Sequence, residues 1–488
     1  MHTPAHHTRP LHRRRAVRQR GQAVVWLLGT MAAAAAVLLG VYSVGQLTVA
    51  KQKTVNAADA AALSGATVEA RVLNLVAYNN RSIIANEVFL AQTLSLESWL
   101  GYAQQTGQNI SIVTNFIPYV GPALARILQQ AARAAGQARN GVSRFTDVLI
   151  PIMEGLKTGF SLAHRTVLAA GGALAEDAAS NVVQANRANF GTHTDAGVQM
   201  DNGAAVRVLT VVQNERPWLG PRSFAKQYSG NDRGDAKQVL LDSRDAFSVN
   251  RPGNSFPFHI TIPFVAKMDK QGGTRLQGFD RWEAQDTLQI GTWDFSKMDW
   301  DFGMPVGWGR ANADRNGTAG SRWGGDLVHS LAYNDGRSHS HRRWSDVPSL
   351  FDMRSEAPAE RDSLHIDFFV AVQRPQANTL TSQTLGMGSA VNNPAGSTDM
   401  NENLSGNKLS ALSKGVVFFE RPKRGLANDA TASPLWRPGN AKEYGSLYSP
   451  YWQARVTDLT MGEKAALMAA VGSPADAALV RLTPGGQR

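Results

Sequence analysis

Residues 21–50 have the sequence GQAVVWLLGTMAAAAAVLLGVYSVGQLTVA, and this stretch decides the fold because it contains no charged side chain. A helix needs about 20 apolar residues to cross a hydrocarbon layer of about 30 Å, since each residue adds about 1.5 Å along its axis. The stretch therefore predicts one transmembrane helix over residues 21–50. Trp26 and Tyr42 lie near its ends, where their side chains favour the lipid headgroups, and Lys51 follows it.

The segment before the span, residues 1–20, is a basic arm without an acidic residue. Its arginines are Arg9, Arg13, Arg14, Arg15, Arg18 and Arg20. By the positive-inside rule the arm stays cytoplasmic while the chain after the span crosses the membrane, so we expect a single-pass protein of the bacterial inner membrane with a periplasmic bulk. The arm supplies more than half of the net charge of +11, so no nucleic-acid partner is expected.

Two alternatives to a membrane anchor remain for residues 21–50. A cleavable signal peptide would use the alanines at residues 32–36, but the apolar run continues past them, whereas a signal peptide has an apolar region of about 7 to 15 residues. A buried globular helix would need another reason for the basic arm directly in front of it. The membrane span is the favoured interpretation.

A small-residue motif follows the span, with the sequence QKTVNAADAAALSGA over residues 52–66. Alanine has the highest helix propensity, so the membrane helix is expected to continue outward. The small residues Ala57, Ala58, Ala61, Ala62, Gly65 and Ala66 would let another helix approach closely. Asp59 is then either a solvated residue or a polar contact with a neighbouring subunit, and the solvated state is favoured.

The order of these parts resembles the Tad/TadG-like family of Flp pilus-assembly proteins. In that family a basic arm, a glycine, a membrane helix and a run of the form Q-x-A-A-D-A-A-A-L-A-G-A follow one another. The matching positions here are Gly21, Asn56, Ala57, Ala58, Asp59, Ala60, Ala61, Ala62, Leu63, Gly65 and Ala66, with Asn56 in place of the usual glutamine and Ser64 in place of alanine. Residues 78–99 also resemble the segment that follows the anchor in proteobacterial members.

The resemblance implies a non-catalytic accessory component of a Tad-type pilus-assembly or related envelope secretion machine. Pilin-like members are cut after a glycine and carry glutamate at the fifth position, but here Trp26 stands at the fifth position counted from Gly21. We therefore expect an uncleaved component rather than a filament subunit. Its expected partners are the lipid bilayer and other assembly proteins, or copies of itself held through small-residue helix faces.

Residues 51–190 show a helical pattern beyond the motif. Apolar residues recur every three or four positions at Leu73, Val76, Ile83, Ile84, Val88, Ala91 and Leu94, with polar residues such as Glu87 filling the gaps. Pro118, Pro122 and Pro151 interrupt the region, so several helices are expected. A helical stalk or bundle near the membrane fits this pattern.

The β-containing part follows at residues 204–460. Strands are predicted over residues 258–266, 364–372, 416–420 and 451–459, with long loops over residues 310–346 and 376–407. A short helix and tail complete the chain over residues 461–488. The predicted fold class is α+β: a transmembrane helix continues into a helical stalk or bundle, and a β-containing extracytoplasmic domain with long loops follows.

Candidate chemistry in the β-containing part is sparse. The chain has no cysteine and none of the common hydrolase, zinc-protease or nucleotide-binding motifs, so no catalytic, cofactor or metal site is expected. His329, His339 and His341 lie near Asp326, Asp335 and Asp346, either as a zinc site or, as we favour, on a solvated loop. The string at residues 294–298 lacks the second serine of a von Willebrand A-type metal motif.

An acidic aromatic patch is the remaining candidate. Asp299 and Asp301 lie among Trp293, Trp300 and Phe302. The patch predicts either a small β-rich core, which we favour, or a glycan site with paired carboxylates. The alternative function is therefore a membrane-tethered periplasmic glycan-binding module or hydrolase.

Overall fold

The computed structural model describes residues 22–187, 206–212, 225–228, 234–251, 261–262, 266–353, 365–375, 408–420, 445–464 and 467. Within them the predicted α+β fold class is confirmed. The basic arm, Gly21, the predicted loop over residues 376–407 and the end of the C-terminal tail lie outside the described residues.

Two long helices form an antiparallel hairpin. Helix α1 spans Gln22–Thr114 and helix α2 spans Gly121–Arg187. At about 1.5 Å per residue, α1 extends about 140 Å without a break. Residues 115–120 make the turn, which is closed by a 3.0 Å hydrogen bond from the Gly121 amide to the Ile117 carbonyl. A Cβ at Gly121 would overlap the Thr114 carbonyl, so the turn requires glycine there.

The expectation that prolines divide this region into helices is confirmed at the turn and is wrong at Pro151. Pro118 lies in the turn, and Pro122 lies in the first helical turn, where a missing amide hydrogen costs nothing. Pro151 lies inside α2, and the helix continues through it. Its neighbours Ile150 and Met153 are buried, so tertiary packing holds the helix where local preference would interrupt it.

The described strands are, in chain order, β1 Val206–Val212, β2 Ala225–Tyr228, β3 Thr261–Ile262, β4 Ala266–Gln277, β5 Arg281–Asp294, β6 Asp299–Asp314, β7 Ser340–His341, β8 Leu350–Met353, β9 His365–Pro375, β10 Lys408–Phe419 and β11 Trp452–Thr457. Shorter helices lie between them: α3 Gly234–Asp242, α4 Ala246–Val249 and α5 Leu327–Ser338. One sheet has the order β1-β9-β10-β11 and is antiparallel. A second has the order β3-β4-β5-β6-β7, with only the β6–β7 pair parallel, and β2 pairs with β8.

The strand predictions at residues 364–372, 416–420 and 451–459 are confirmed by β9, β10 and β11. The predicted loop over residues 310–346 is wrong, because β6 continues to Asp314 and α5 and β7 follow. Val328 and Ala332 of α5 are buried and account for the helix. The surrounding glycine, serine and asparagine residues obscured this short apolar face.

Both large sheets pack on the hairpin. One cluster joins Leu73 and Val76 of α1 to Phe368 of β9, and another joins Leu94 of α1 to Trp282 of β5. All five side chains are fully buried. Burying a large apolar side chain contributes about 1.5–3 kcal/mol, so these clusters hold helices and sheets together.

Glycines in the strands bring the sheets unusually close to the α1 backbone. A Cβ on Gly415 of β10 would overlap the Ala62 carbonyl, and one on Gly309 of β6 would overlap the backbone of Ser98 and Tyr102. The helix makes the same accommodation at Gly65, where a Cβ would overlap the Phe368 ring. Missing side chains on both elements therefore allow the close approach.

Replacing Gly65 with alanine tests this close approach. Because a Cβ at position 65 would overlap the fully buried Phe368 ring, we expect Gly65→Ala to lower the free energy of unfolding by about 1–3 kcal/mol. Gly159→Ala on α2 is the matched control, since nothing lies near that position and alanine favours helix by about 1 kcal/mol. Denaturant unfolding followed by circular dichroism measures both. Equal stability of the two variants would contradict the packing.

Candidate functional site

The start of α1 is an exposed apolar rod. Trp26 is 75% exposed, and continuous burial in the protein begins only around Ala50. The hydroxyls of Thr30 and Thr48 donate to backbone carbonyls one turn earlier, which satisfies them inside the helix. Among the described residues this is the helix long and apolar enough to cross a membrane, and it fits a single-pass anchor. Of the predicted interface residues, Trp26, Tyr42 and Lys51 are exposed, while Arg18 and Arg20 lie outside the described residues.

The motif at residues 56–66 has a buried and an outer face. The buried residues are Ala57, Ala58, Ala61, Ala62, Gly65 and Ala66, whereas Asn56, Ala60 and Leu63 are exposed. The expectation that another helix lies against the small residues is met within the chain, because Ala175 and Ala179 of α2 belong to the same buried cluster. The sheet containing β9 and β10 covers the rest of this face through Phe368 and Gly415. The exposed residues form a separate surface next to the span, which we call the outer motif face.

Asp59 lies at the edge of that outer motif face. Its side chain is half-buried and makes no hydrogen bond or ion pair with the described part of the chain. The carboxylate is therefore available to water or to a partner. Neither expectation for this residue is excluded by its position.

Glu69 lies about one turn beyond the motif and is fully buried. Neither carboxylate oxygen has a hydrogen-bond partner among the described residues. Burial disfavours the ionised form and raises the pKa of Glu69 to about 8. The side chain is therefore mostly protonated at neutral pH, and its ionisation opposes the fold.

Asp286 of β5 connects α1 to the second sheet. It accepts a 2.8 Å hydrogen bond from the Ser98 hydroxyl of α1. The Arg251 guanidinium lies 3.0 Å from the carboxylate, and the Lys270 ammonium lies 2.8 Å from it. All four side chains are buried, so the two cations compensate the buried carboxylate.

Glu87 of α1 makes a second connection, to the indoles of two buried tryptophans. Trp282 donates to it at 3.1 Å and Trp344 at 3.2 Å, and the Lys157 ammonium of α2 lies 3.6 Å away. Burial raises the pKa of Glu87 to about 6, and the charge of Lys157 limits the rise. The expectation that Glu87 is one of the polar residues between the buried apolar positions of the helix is wrong. Its position seven residues before Leu94 put it on the apolar face and was the available signal.

His341 bridges both helices. Its Nε2 lies 2.7 Å from Glu97 of α1, and its Nδ1 lies 2.7 Å from Asp147 of α2. Burial acts to lower the pKa of His341, but its hydrogen bonds to these two carboxylates and their negative charges outweigh burial and raise it. The imidazole therefore ties β7 to both helices of the hairpin.

The solvated-loop interpretation of the histidines is wrong. His341 and His329 are buried, and Asp335 binds Arg139 of α2 through its carboxylate at 2.5 Å. Within the described residues no group of three or more histidine, aspartate or glutamate side chains is placed to hold a metal ion.

The acidic aromatic patch lies at the exposed end of the β5–β6 hairpin. The Trp293 and Trp300 rings pack edge to face with centroids 5.2 Å apart, and both are half-buried. Asp299 and Asp301 are exposed, and the Lys297 ammonium is 3.9 Å from Asp301. The expectation of a small core at this patch finds no fully buried side chain among Trp293, Trp300, Asp299 and Asp301.

A polar cavity of about 340 Å³ opens beside β4 and β5. Its lining consists of Asn250, Lys270, Gln271, Gly272, Gln285, Thr287, Trp323 and His329. Asp286 compensates the Lys270 charge, and the buried Nδ1 of His329 has no hydrogen-bond partner among the described residues. The cavity combines an indole with amide, hydroxyl and imidazole groups, a set suited to an uncharged polar molecule. No sequence motif predicts this cavity, because its lining residues are brought together from separate elements.

Replacing Glu69 with glutamine tests its buried ionisation. The folded pKa of about 8 exceeds the ordinary 4.5, so the stability that wild type gains from protonated Glu69 is complete below about pH 4.5 and is lost as pH rises to 8. Glu69→Gln removes this loss, so we expect a shallower pH dependence and a gain of at most about 3 kcal/mol over wild type at pH 7. Unfolding titrations from pH 4.5 to 8 measure it. Glu176→Gln, at an exposed position on α2, is the control and should keep the wild-type slope.

The comparison with protein families identifies the N-terminal region. Residues 21–68 match a family model described as Putative Flp pilus-assembly TadE/G-like. The match begins at Gly21 and includes the exposed apolar rod and the small-residue motif, so the resemblance found in the sequence is confirmed. The N-terminal region carries a TadE/G-like Flp pilus-assembly domain, which supports a role related to pilus assembly. No curated protein and no solved structure matches the chain.

Proposed function

We propose that this protein is a membrane-anchored, non-catalytic accessory component of a Tad-type pilus-assembly machine or a related envelope secretion machine. Its TadE/G-like segment matches at residues 21–68, and from Gln22 onward this segment is part of one unbroken helix, which is the observation that carries the proposal. Beyond the apolar rod, the same helix packs against both sheets and contributes to their cores. The protein would therefore hold a large folded body at a fixed position relative to the membrane.

The proposed orientation places the arginine arm in the cytoplasm and the hairpin with its sheets in the periplasm. The arm contains six arginines and no acidic residue, which favours retention on the cytoplasmic side. A long segment beyond the span translocates largely regardless of its own charge. The membrane in question would be the bacterial inner membrane.

The outer motif face is the surface we propose for contact with other assembly proteins. Packing against the sheet and α2 buries the small residues, so the exposed Asn56, Ala60 and Leu63 remain for a partner beside the membrane. Asp59 adds a carboxylate without a partner in the described chain. A partner bound here would contact the protein only in its folded form, because the same helical turns pack against the sheet.

Site-specific photo-crosslinking in native membranes tests the role. A photoreactive residue at Leu63, which is 42% exposed, should capture pilus-assembly or secretion proteins. The same group at Ala62, which is fully buried against the sheet, is the matched control and should capture only the protein itself. Recovery of lipid alone from Leu63, or of the same partners from both positions, would contradict the proposed contact.

A further inference from the structure

The hairpin end farthest from the anchor carries a cluster of exposed apolar side chains around the turn. We call this cluster the tip surface. Its members are Ile112, Val113, Phe116, Ile117, Tyr119, Val120, Leu124 and Ile127. Phe116 is 82% exposed and Tyr119 is completely exposed. A contiguous cluster of this many exposed apolar side chains on a protein surface marks an interaction site.

The turn that presents the tip surface is closed by its own hydrogen bonds. The Ile117 amide donates to the Thr114 carbonyl at 3.0 Å, and the Val120 amide donates to the Pro118 carbonyl at 2.9 Å. Tyr119 has a φ of 70°, a left-handed conformation that bulky residues rarely adopt. The turn therefore holds Tyr119 outward against its local backbone preference.

The charge around the tip surface has one sign. Residues 98–146 contain no aspartate or glutamate. Arg126 and Arg133 are exposed on α2 and form no ion pair within the described residues, whereas Arg139 is buried and binds Asp335. The tip therefore combines apolar and aromatic side chains with uncompensated positive charge.

The length of α1 separates the tip surface from the bilayer that holds the span. From Ala50 to Thr114 the helix is unbroken and rises about 96 Å. The tip therefore cannot reach the surface of the bilayer in which its own anchor lies. Its occupant must come from elsewhere.

We propose that the tip surface binds the anionic surface of a second lipid bilayer. Aliphatic and phenyl groups enter the boundary between headgroups and acyl chains, the tyrosine ring lies at headgroup level, and the arginines bind lipid phosphates. The exposed apolar residues on the flank of α2 differ, because Val148 adjoins the exposed Asp147. Among the described residues outside the anchor helix, the tip combines exposed apolar groups with an acid-free, cationic segment, so charge complementarity selects anionic lipid.

Vesicle binding by the full chain tests the proposal. The protein is placed in phosphatidylcholine nanodiscs, which occupy its anchor, and is mixed with vesicles containing roughly a third phosphatidylglycerol. Wild type should cosediment with these vesicles and at least about tenfold less with phosphatidylcholine vesicles. Phe116→Ser/Tyr119→Ser should lower binding at least about tenfold. Arg126→Gln/Arg133→Gln should remove most of the preference for the anionic vesicles.

The matched control is Val148→Ser/Ile152→Ser, which removes two exposed apolar side chains from the flank of α2 and should bind as wild type does. Circular dichroism verifies that every variant is folded. Absence of wild-type binding to anionic vesicles would overturn the proposal, as would an equal loss in the flank variant. Capture of a protein rather than lipid by a photoreactive group at Phe116 in native membranes would instead make the tip a protein contact and would also overturn it.

Discussion

The close contact between the α1 backbone and the two sheets is the constraint on which the rest of the structure depends. Near the membrane, Gly415 of β10 lies against Ala62, and Phe368 of β9 lies over Gly65. Near the far end, Gly307 and Gly309 of β6 lie against the helix in the same way. A side chain at any of these glycines would push helix and strand apart, so one helix carries both sheets only because those side chains are missing.

Buried charge fixes how the second sheet lies on the hairpin. Glu87 and Glu97 of α1 and Asp286 of β5 are fully buried, and each is held by partners from another element. Removing one member of such a pair leaves an uncompensated buried charge and costs about 3–5 kcal/mol. Sliding the sheet along the helix would separate the same charges and carry the same penalty. The main effect of these networks is therefore to fix the position of the sheet on the helix rather than to add stability.

The N-terminal part of the fold was predictable because its determinants are local. The uncharged stretch at residues 21–50 and the spacing of alanines at residues 57–66 fixed the helix and its buried face. The partners of the buried charges were not predictable, since Glu97 and His341 lie 244 residues apart in the chain. Helix α5 was not predicted because its few buried residues lie among residues typical of loops. The break predicted at Pro151 does not occur because packing against distant residues overrides the local preference of proline.

Thiol accessibility of single cysteines along residues 56–66 tests the central claim most directly, and the absence of native cysteine makes each probe unambiguous. In the detergent-solubilised monomer, where no second subunit can protect the helix, cysteines at residues 56, 60 and 63 should react quickly with a maleimide. Cysteines at residues 58, 61 and 62 should react slowly and become reactive when Phe368→Ala loosens the sheet. Uniformly fast labelling, or protection unaffected by Phe368→Ala, would show that the sheet does not cover this face and would contradict the account.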